Sequence, residues 1–199
     1  MKQVPKTSPS KHFFIVLNLL CSLMFCVLAG CSEHVREDDP EAYSAISFSA
    51  PQFFLAPGSS MQWRSDLVYL FGDARKKPEN VEPVLQEEIQ RYFEARTNVF
   101  PADTGVATYG LVAVVVLGDG LTAREVLKRF KLTPSFPTSR RYEKGTIVVA
   151  IYDAADETVL WRGAIQSNVD LDLPPEQRRQ LIRSTIGKLL NKIPTRQPV

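Results

Sequence analysis

The sequence predicts an α+β domain: a largely antiparallel sheet of about four to five strands with two or three helices packed on it. Three observations carry the prediction. Leu111–Leu117 reads LVAVVVL, apolar throughout and β-branched at its centre, too short for a helix and suited to a strand covered on both faces. Gly145–Asp153 and Glu157–Ile165 are two strand-like runs around Ala154-Ala155-Asp156, which makes a β-hairpin. Amphipathic helical segments stand before, between and after these strands, and that mixed order gives α+β.

The elements follow in chain order. Ala45–Leu55 is Phe-rich and reads as a first strand, closed by the turn residues Pro57-Gly58-Ser59-Ser60. Trp63–Phe71 is apolar enough for a strand or a short helix, and its pattern does not separate the two. From Lys76 to Arg96, Val81, Leu85, Ile89 and Tyr92/Phe93 recur at helical spacing, with Asn80 as N-cap and Pro83 in the first turn. Thr122 and Glu125 form a capping box and Leu121 with Val126 a hydrophobic staple, so a second helix runs from Thr122 to about Phe130. The prolines of Thr133–Arg141 block both helix and central strand. In the hairpin, Ile147, Val149 and Ile151 share one face, as do Val159, Trp161 and Ile165 across from them. Leu173-Pro174-Pro175 opens a last helix carrying Leu181, Ile182, Ile186, Leu189, Leu190 and Ile193, stopped by Pro194.

The N-terminus has the form of an export signal: Lys2, Lys6 and Lys11, then an apolar run Phe13–Gly30 ending in small residues before Cys31. The run is also nearly long enough to stay as a membrane span. Its cysteines bear on the choice. Cys21 and Cys26 lie inside the removable run, so cleavage would leave Cys31 alone, with no partner for an intrachain disulfide. Residues Ser32–Ser44 are polar and acidic, as a flexible tether is. The division expected is residues 1–30 as removed signal, 31–44 as acylated cysteine and tether, and 45–199 as a single domain. Setting the three signal lysines aside from 24 basic residues leaves a body slightly acidic against 22 Asp and Glu. A body of that charge gives no reason to expect nucleic acid, which calls for a basic stripe.

Two resemblances add to this. Leu28-Ala29-Gly30-Cys31 resembles the lipobox of bacterial lipoproteins, which implies a diacylglycerol on the Cys31 sulfur, cleavage before it and acylation of the new amino group. Several acyl chains would then hold the protein firmly to a membrane. Ser32, not aspartate, follows the cysteine, and by the same resemblance favours the periplasmic leaflet of the outer membrane over inner-membrane retention. Tyr142, Gly145 and Thr146, then Asp153-Ala154, Trp161-Arg162-Gly163 and Pro194 resemble the domain-of-unknown-function 4136 family of bacterial lipoproteins. The departures are Ala150, where the family often has an acid, a first strand matched only loosely in Phe48–Leu55, and the additional helix Thr122–Phe130. The resemblance implies an envelope lipoprotein with an α+β domain and implies no reaction.

Candidate chemistry is narrow. Gly118-Asp119-Gly120-Leu121-Thr122-Ala123 fits a dinucleotide-binding turn by letter. The fingerprint needs a second parallel strand, and an antiparallel hairpin follows, so a plain strand-to-helix turn is expected and no cofactor. His12 and His34 lie outside the body, which leaves no Ser-His or Cys-His nucleophile and no His/Cys metal site there. Asp66, Asp73, Asp103, Asp119, Asp153 and Asp156 sit mostly in turn contexts. Trp161 falls on the apolar face of the hairpin, while Arg162 points the other way, towards Tyr152 as an expected cross-strand neighbour. Trp161, Arg162 and Tyr152 are the candidate interaction residues, and Arg140, Arg141 and Lys144 form a small basic spot. The function expected is non-enzymatic: a lipid-anchored protein facing the periplasm and binding another envelope component. The alternative is a carrier or sensor of a small apolar or lipidic ligand. Partner binding predicts an exposed apolar patch near Phe53-Phe54 or Phe136; ligand binding predicts a closed apolar pocket between helix and sheet.

Overall fold

The computed structural model describes residues 39, 41–65, 68–71, 81–96, 98, 100, 107–118, 121–137, 139, 141–170 and 172–195, which belong to one compact unit. The signal region, Cys31, most of the tether, the Asn80 cap and four of the six aspartates (Asp66, Asp73, Asp103 and Asp119) lie outside them. The elements are β1 (Tyr43–Ser49), β2 (Met61–Trp63), β3 (Val68–Phe71), α1 (Val81–Glu94), β4 (Tyr109–Leu117), α2 (Leu121–Arg129), β5 (Glu143–Asp153), β6 (Val159–Val169) and α3 (Pro175–Leu190). They form the α+β sheet that the pattern predicts. Its order is β1-β6-β5-β4-β2, with β3 also paired to β4. The β1–β6, β6–β5 and β5–β4 pairs are antiparallel; β2 and β3 run parallel to β4.

The path through the sheet has five strands among the described residues, and a short sixth, β3, pairs beside it because Trp63–Phe71 contributes to two short strands. Polar Arg64-Ser65 breaks the apolar run, so Met61–Trp63 pairs with Tyr109–Leu111 and Val68–Phe71 with Val114–Leu117 further along β4. The first strand is shorter than Ala45–Leu55. It ends at Ser49, Gln52 takes a left-handed φ of 64°, and Leu55 makes only an isolated bridge to Thr195. At its other end the domain claims the last tether residues. Ala42 N donates to Asp39 O at 3.1 Å to close a tight turn, and Asn168 Nδ2 donates to the same carbonyl at 2.7 Å.

Both faces of the sheet are covered, which is why β4 is apolar at every position. On the first face Leu85, Ile89 and Phe93 of α1 and Ile186, Leu189 and Leu190 of α3 bury Leu111, Val115, Ile147, Val149, Ile151, Trp161 and Ile165. On the second, Ala123 and Leu127 of α2 and Leu132 beyond it bury Val114, Val116, Val148 and Ala164. Pro83 sits third in α1, where a missing N–H forfeits no helical bond, and Pro174-Pro175 open α3.

α2 begins at Leu121, one residue ahead of the expected Thr122; the side chains of its capping box and staple lie outside the described ones at Leu121 and Thr122. Its end departs from the usual glycine stop. Leu132 N donates to Leu127 O and Lys131 N to Lys128 O, with Lys131 at φ 52°, which is a Schellman motif built on lysine instead of glycine. Past β4, Gly118 takes φ 100° and donates its N–H to Lys144 O at 2.7 Å. β5, the strand after α2, runs antiparallel to β4 before it.

Candidate functional site

The hairpin that carries the Trp-Arg-Gly motif sends its residues to opposite faces. Trp161 is fully buried in the first core, with its indole N–H lacking an acceptor among the described residues. Gly163, two residues on and on the same face, leaves room for the indole: a Cβ there would lie 2.6 Å from Trp161 Cη2 and 3.0 Å from Leu189 Cδ1. The Trp-x-Gly spacing is therefore a packing device, and Trp161 takes no part in an outer surface.

The face expectation for Val159 is corrected by a bulge. Ile151 pairs with Trp161 but Tyr152 pairs with Val159, so Leu160 is an inserted residue, its carbonyl held by Ala50 N at 2.7 Å. Val159, beyond the bulge and beside the turn, is 38% exposed instead of core-facing. Asp153 Oδ1 accepts from Ala155 N, and Asp156 Oδ1 accepts from Thr158 N and Oγ1. Both aspartates thus hold the turn, as their contexts predict, and the Thr158 amide keeps the Asp156 carboxyl below its ordinary range.

Arg162 does face away from Trp161, but its direct neighbour on β5 is Ala150; Tyr152 lies two residues further along. On its other side Arg162 pairs with Phe48 of β1, and its guanidinium lies over the Phe48 ring at 5.4 Å. Tyr152 pairs with Gly110 and receives a different arginine: Arg64 crosses Gly110, stands 5.9 Å over the Tyr152 ring and bonds to Glu157. The three candidate residues are thus split. Trp161 is core, Tyr152 joins Arg64, and Arg162 joins Phe48.

The exposed apolar side chains also fall elsewhere than expected. Phe136 is buried and Phe53 packs edge-on to Tyr109 at 5.9 Å, whereas Phe48 is 47% and Tyr43 42% exposed on β1. Lys144 leaves the basic spot as well: it is buried, with Nζ donating to Phe136 O at 3.0 Å. Arg140 lies outside the described residues and Arg141 stacks on Tyr142 at 5.3 Å.

Two features of the helical layer have no signal in the sequence pattern. Glu88 of α1 has a side chain only 1% exposed, yet it is charged. Arg183 donates to it from Nε at 2.9 Å and from a terminal nitrogen at 3.1 Å, while Arg91 and Arg179 lie 3.3 and 3.5 Å away. The Arg183 bond, set against the opposing cost of burial and joined by the charges of Arg183, Arg91 and Arg179, holds the carboxyl below its ordinary value. Next to this clasp Tyr92 donates to Asn191 Oδ1 at 3.0 Å, and burial pushes its phenol up to about 12. The second feature is a partly open cavity of about 80 Å³ between the helices and the sheet. Leu85, Val115, Ile147, Val169, Leu181 and Ile182 line it, and Asp170 and Arg178 are the charged members of its wall.

A mixed sheet clad by one helix on one face and two on the other, with a lone-edged first strand and a buried Trp-x-Gly hairpin, defines a class of small α+β domain. The model of the domain of unknown function DUF4136 matches residues 67–195, more than half of the chain, and the protein belongs to that family. Among solved structures, a DUF4136 family protein from Bacteroides thetaiotaomicron is similar with TM-score 0.50 at 13% identity, over 78% of this chain and 96% of that one. A PelC dodecamer from Paraburkholderia phytofirmans gives 0.49 at 12% identity, over 78% and 100%. A PDZ domain protein from Parabacteroides distasonis gives 0.43 at 13%, over 79% and 37%. At 13% identity the likeness to the Bacteroides protein speaks of the fold alone. No curated protein matches the chain.

Proposed function

We propose that this is a non-enzymatic, lipid-anchored envelope protein, held at Cys31 on the periplasmic side of the outer membrane, whose domain binds another envelope component along β1. The observation that supports the reading is the β1 edge. It ends the sheet, exposes Phe48 and Tyr43, and pairs with no other strand on its outer side among the described residues. Photo-cross-linking in intact cells from β1 positions, followed by mass spectrometry, tests it. Recovery of an envelope component supports the reading, and purely monomeric recovery refutes it.

The cavity favours a second reading, a carrier or sensor of a small apolar ligand. Its volume of about 80 Å³ has room for a short apolar group and not for a whole acyl chain. Native mass spectrometry of detergent-free protein decides: a retained small molecule, displaced when Val169→Phe fills the cavity, would favour the carrier.

A further inference from the structure

We infer that the partner presents an extended, acidic polypeptide segment that adds to the outer edge of β1 and sets a carboxylate against Arg162. The inference rests on the partner-binding reading and names the chemistry of its site.

The first support is the edge. β1 offers seven residues, YSAISFS, with no Lys, Arg or Pro among them, and its register against β6 runs without a bulge from Tyr43 to Ser49. Those are the devices that ordinarily stop a second chain from pairing with an edge, and β1 has none of them. An edge of this length suits strand addition, in which backbone bonds give affinity and side chains on alternate positions give specificity. Phe48 and Tyr43 stand near its two ends as exposed aromatic anchors.

The second support is charge. Arg64 has Glu157, Arg91 and Arg179 share Glu87, and Arg183 has Glu88. Arg162 has no carboxylate among the described residues. It is half-buried, its Nε is buried without an acceptor, and its partner is the Phe48 ring. Burying that Nε without an acceptor is costly, and a carboxylate arriving from outside at the guanidinium offsets part of the cost. Because Arg162 already reaches across to Phe48, its guanidinium is about one strand spacing, roughly 5 Å, from a strand added beyond β1. An Asp or Glu opposite Phe48 on that strand, on the same face, meets it. The body as a whole is slightly acidic, so the attraction is local to Arg162 and not a property of net charge.

The test uses the full chain in its native cells, with benzoylphenylalanine at position 48 and, as a control, at exposed Arg124 on α2, in wild-type, Arg162→Lys, Arg162→Gln and Arg162→Glu backgrounds. The expected result is an adduct from position 48 whose partner peptide carries Asp or Glu within a few residues of the attachment. That adduct should fall about tenfold or more in Arg162→Gln and Arg162→Glu and survive in Arg162→Lys, the loss expected of one charge-assisted hydrogen bond. Thermal melts identify any variant that fails to fold, and the folded ones then decide. An adduct that persists at full yield in a folded Arg162→Glu protein overturns the acidic chemistry. Adducts to lipid or glycan from position 48 overturn the polypeptide. Adducts from position 124 alone overturn the β1 site and leave only a partner bound at another face of the domain; none from either position overturns partner binding altogether.

Discussion

Gly163 and Trp161 show how a short motif becomes a packing rule. The Cβ of alanine at position 163 would meet the indole at 2.6 Å, and neither Trp161 nor Leu189 has an open side to move into. Gly163→Ala is expected to destabilise the domain by about 1–3 kcal/mol, read as a lower urea midpoint with an unchanged slope. The indole direction was legible from alternation along the hairpin, whereas the glycine's purpose was not, since it depends on Leu189 of a helix distant in sequence. Glu88 was illegible for the same reason. In sequence it is one more acid between Leu85 and Ile89 with Arg91 a turn on, and its main partner Arg183, with Arg179, comes from far along the chain. Its carboxyl is held below the ordinary 4.5, so the stabilisation is fully present above that value and is lost as pH falls through the depressed one. Glu88→Gln should therefore cost about 1–2 kcal/mol at neutral pH, moderated because the arginines are partly exposed. The difference from wild type should close in strong acid. A penalty independent of pH would show that shape, not charge, matters at this position.

At the scale of elements, the long periodic segments were readable and the short ones were not. α1, α3 and the β5–β6 hairpin carry their period over two or more turns or several alternations, so their sequences specify them locally. β2 and β3 have three and four residues, too few to show a period, and they exist because β4 offers them a parallel edge. The bulge at Leu160 is likewise non-local, since its carbonyl is held by Ala50 after β1. The end of α2 is a local device that the sequence disguises: a Schellman motif usually announces itself by glycine, and here Lys131 takes the left-handed position. Lys131 is exposed, so Lys131→Gly should relieve the steric cost without removing a core contact and raise stability by about 1 kcal/mol. A chemical denaturation curve would show it directly, and a loss of stability would mean that the lysine stem covers α2 usefully.

For the whole molecule, the class of fold followed from element order, but strand order did not. β1 crosses to pair with β6, so Tyr43 sits opposite Ser167, and nothing in either stretch states that partnership. That crossing leaves the first strand on an edge and sets Arg162 beside Phe48, which is why the candidate interaction residues separated as they did. Anchoring is tested at this scale too. In fractionation without detergent, Cys31→Ala should leave the protein unprocessed or soluble, and a processed, membrane-bound variant would refute the lipid anchor.

The clasp of Asn168 on the Asp39 carbonyl has a mechanical meaning once a lipid sits on Cys31. Only residues 32–38 would then separate the lipid-bearing Cys31 from a fixed point on the body, a leash of at most about 29 Å. A domain moored in that way would explore a shallow layer over the leaflet and diffuse mainly in two dimensions. Its encounters would be with neighbours that share that layer, and lengthening the leash with glycine and serine would dilute those encounters while leaving every side chain of the domain in place.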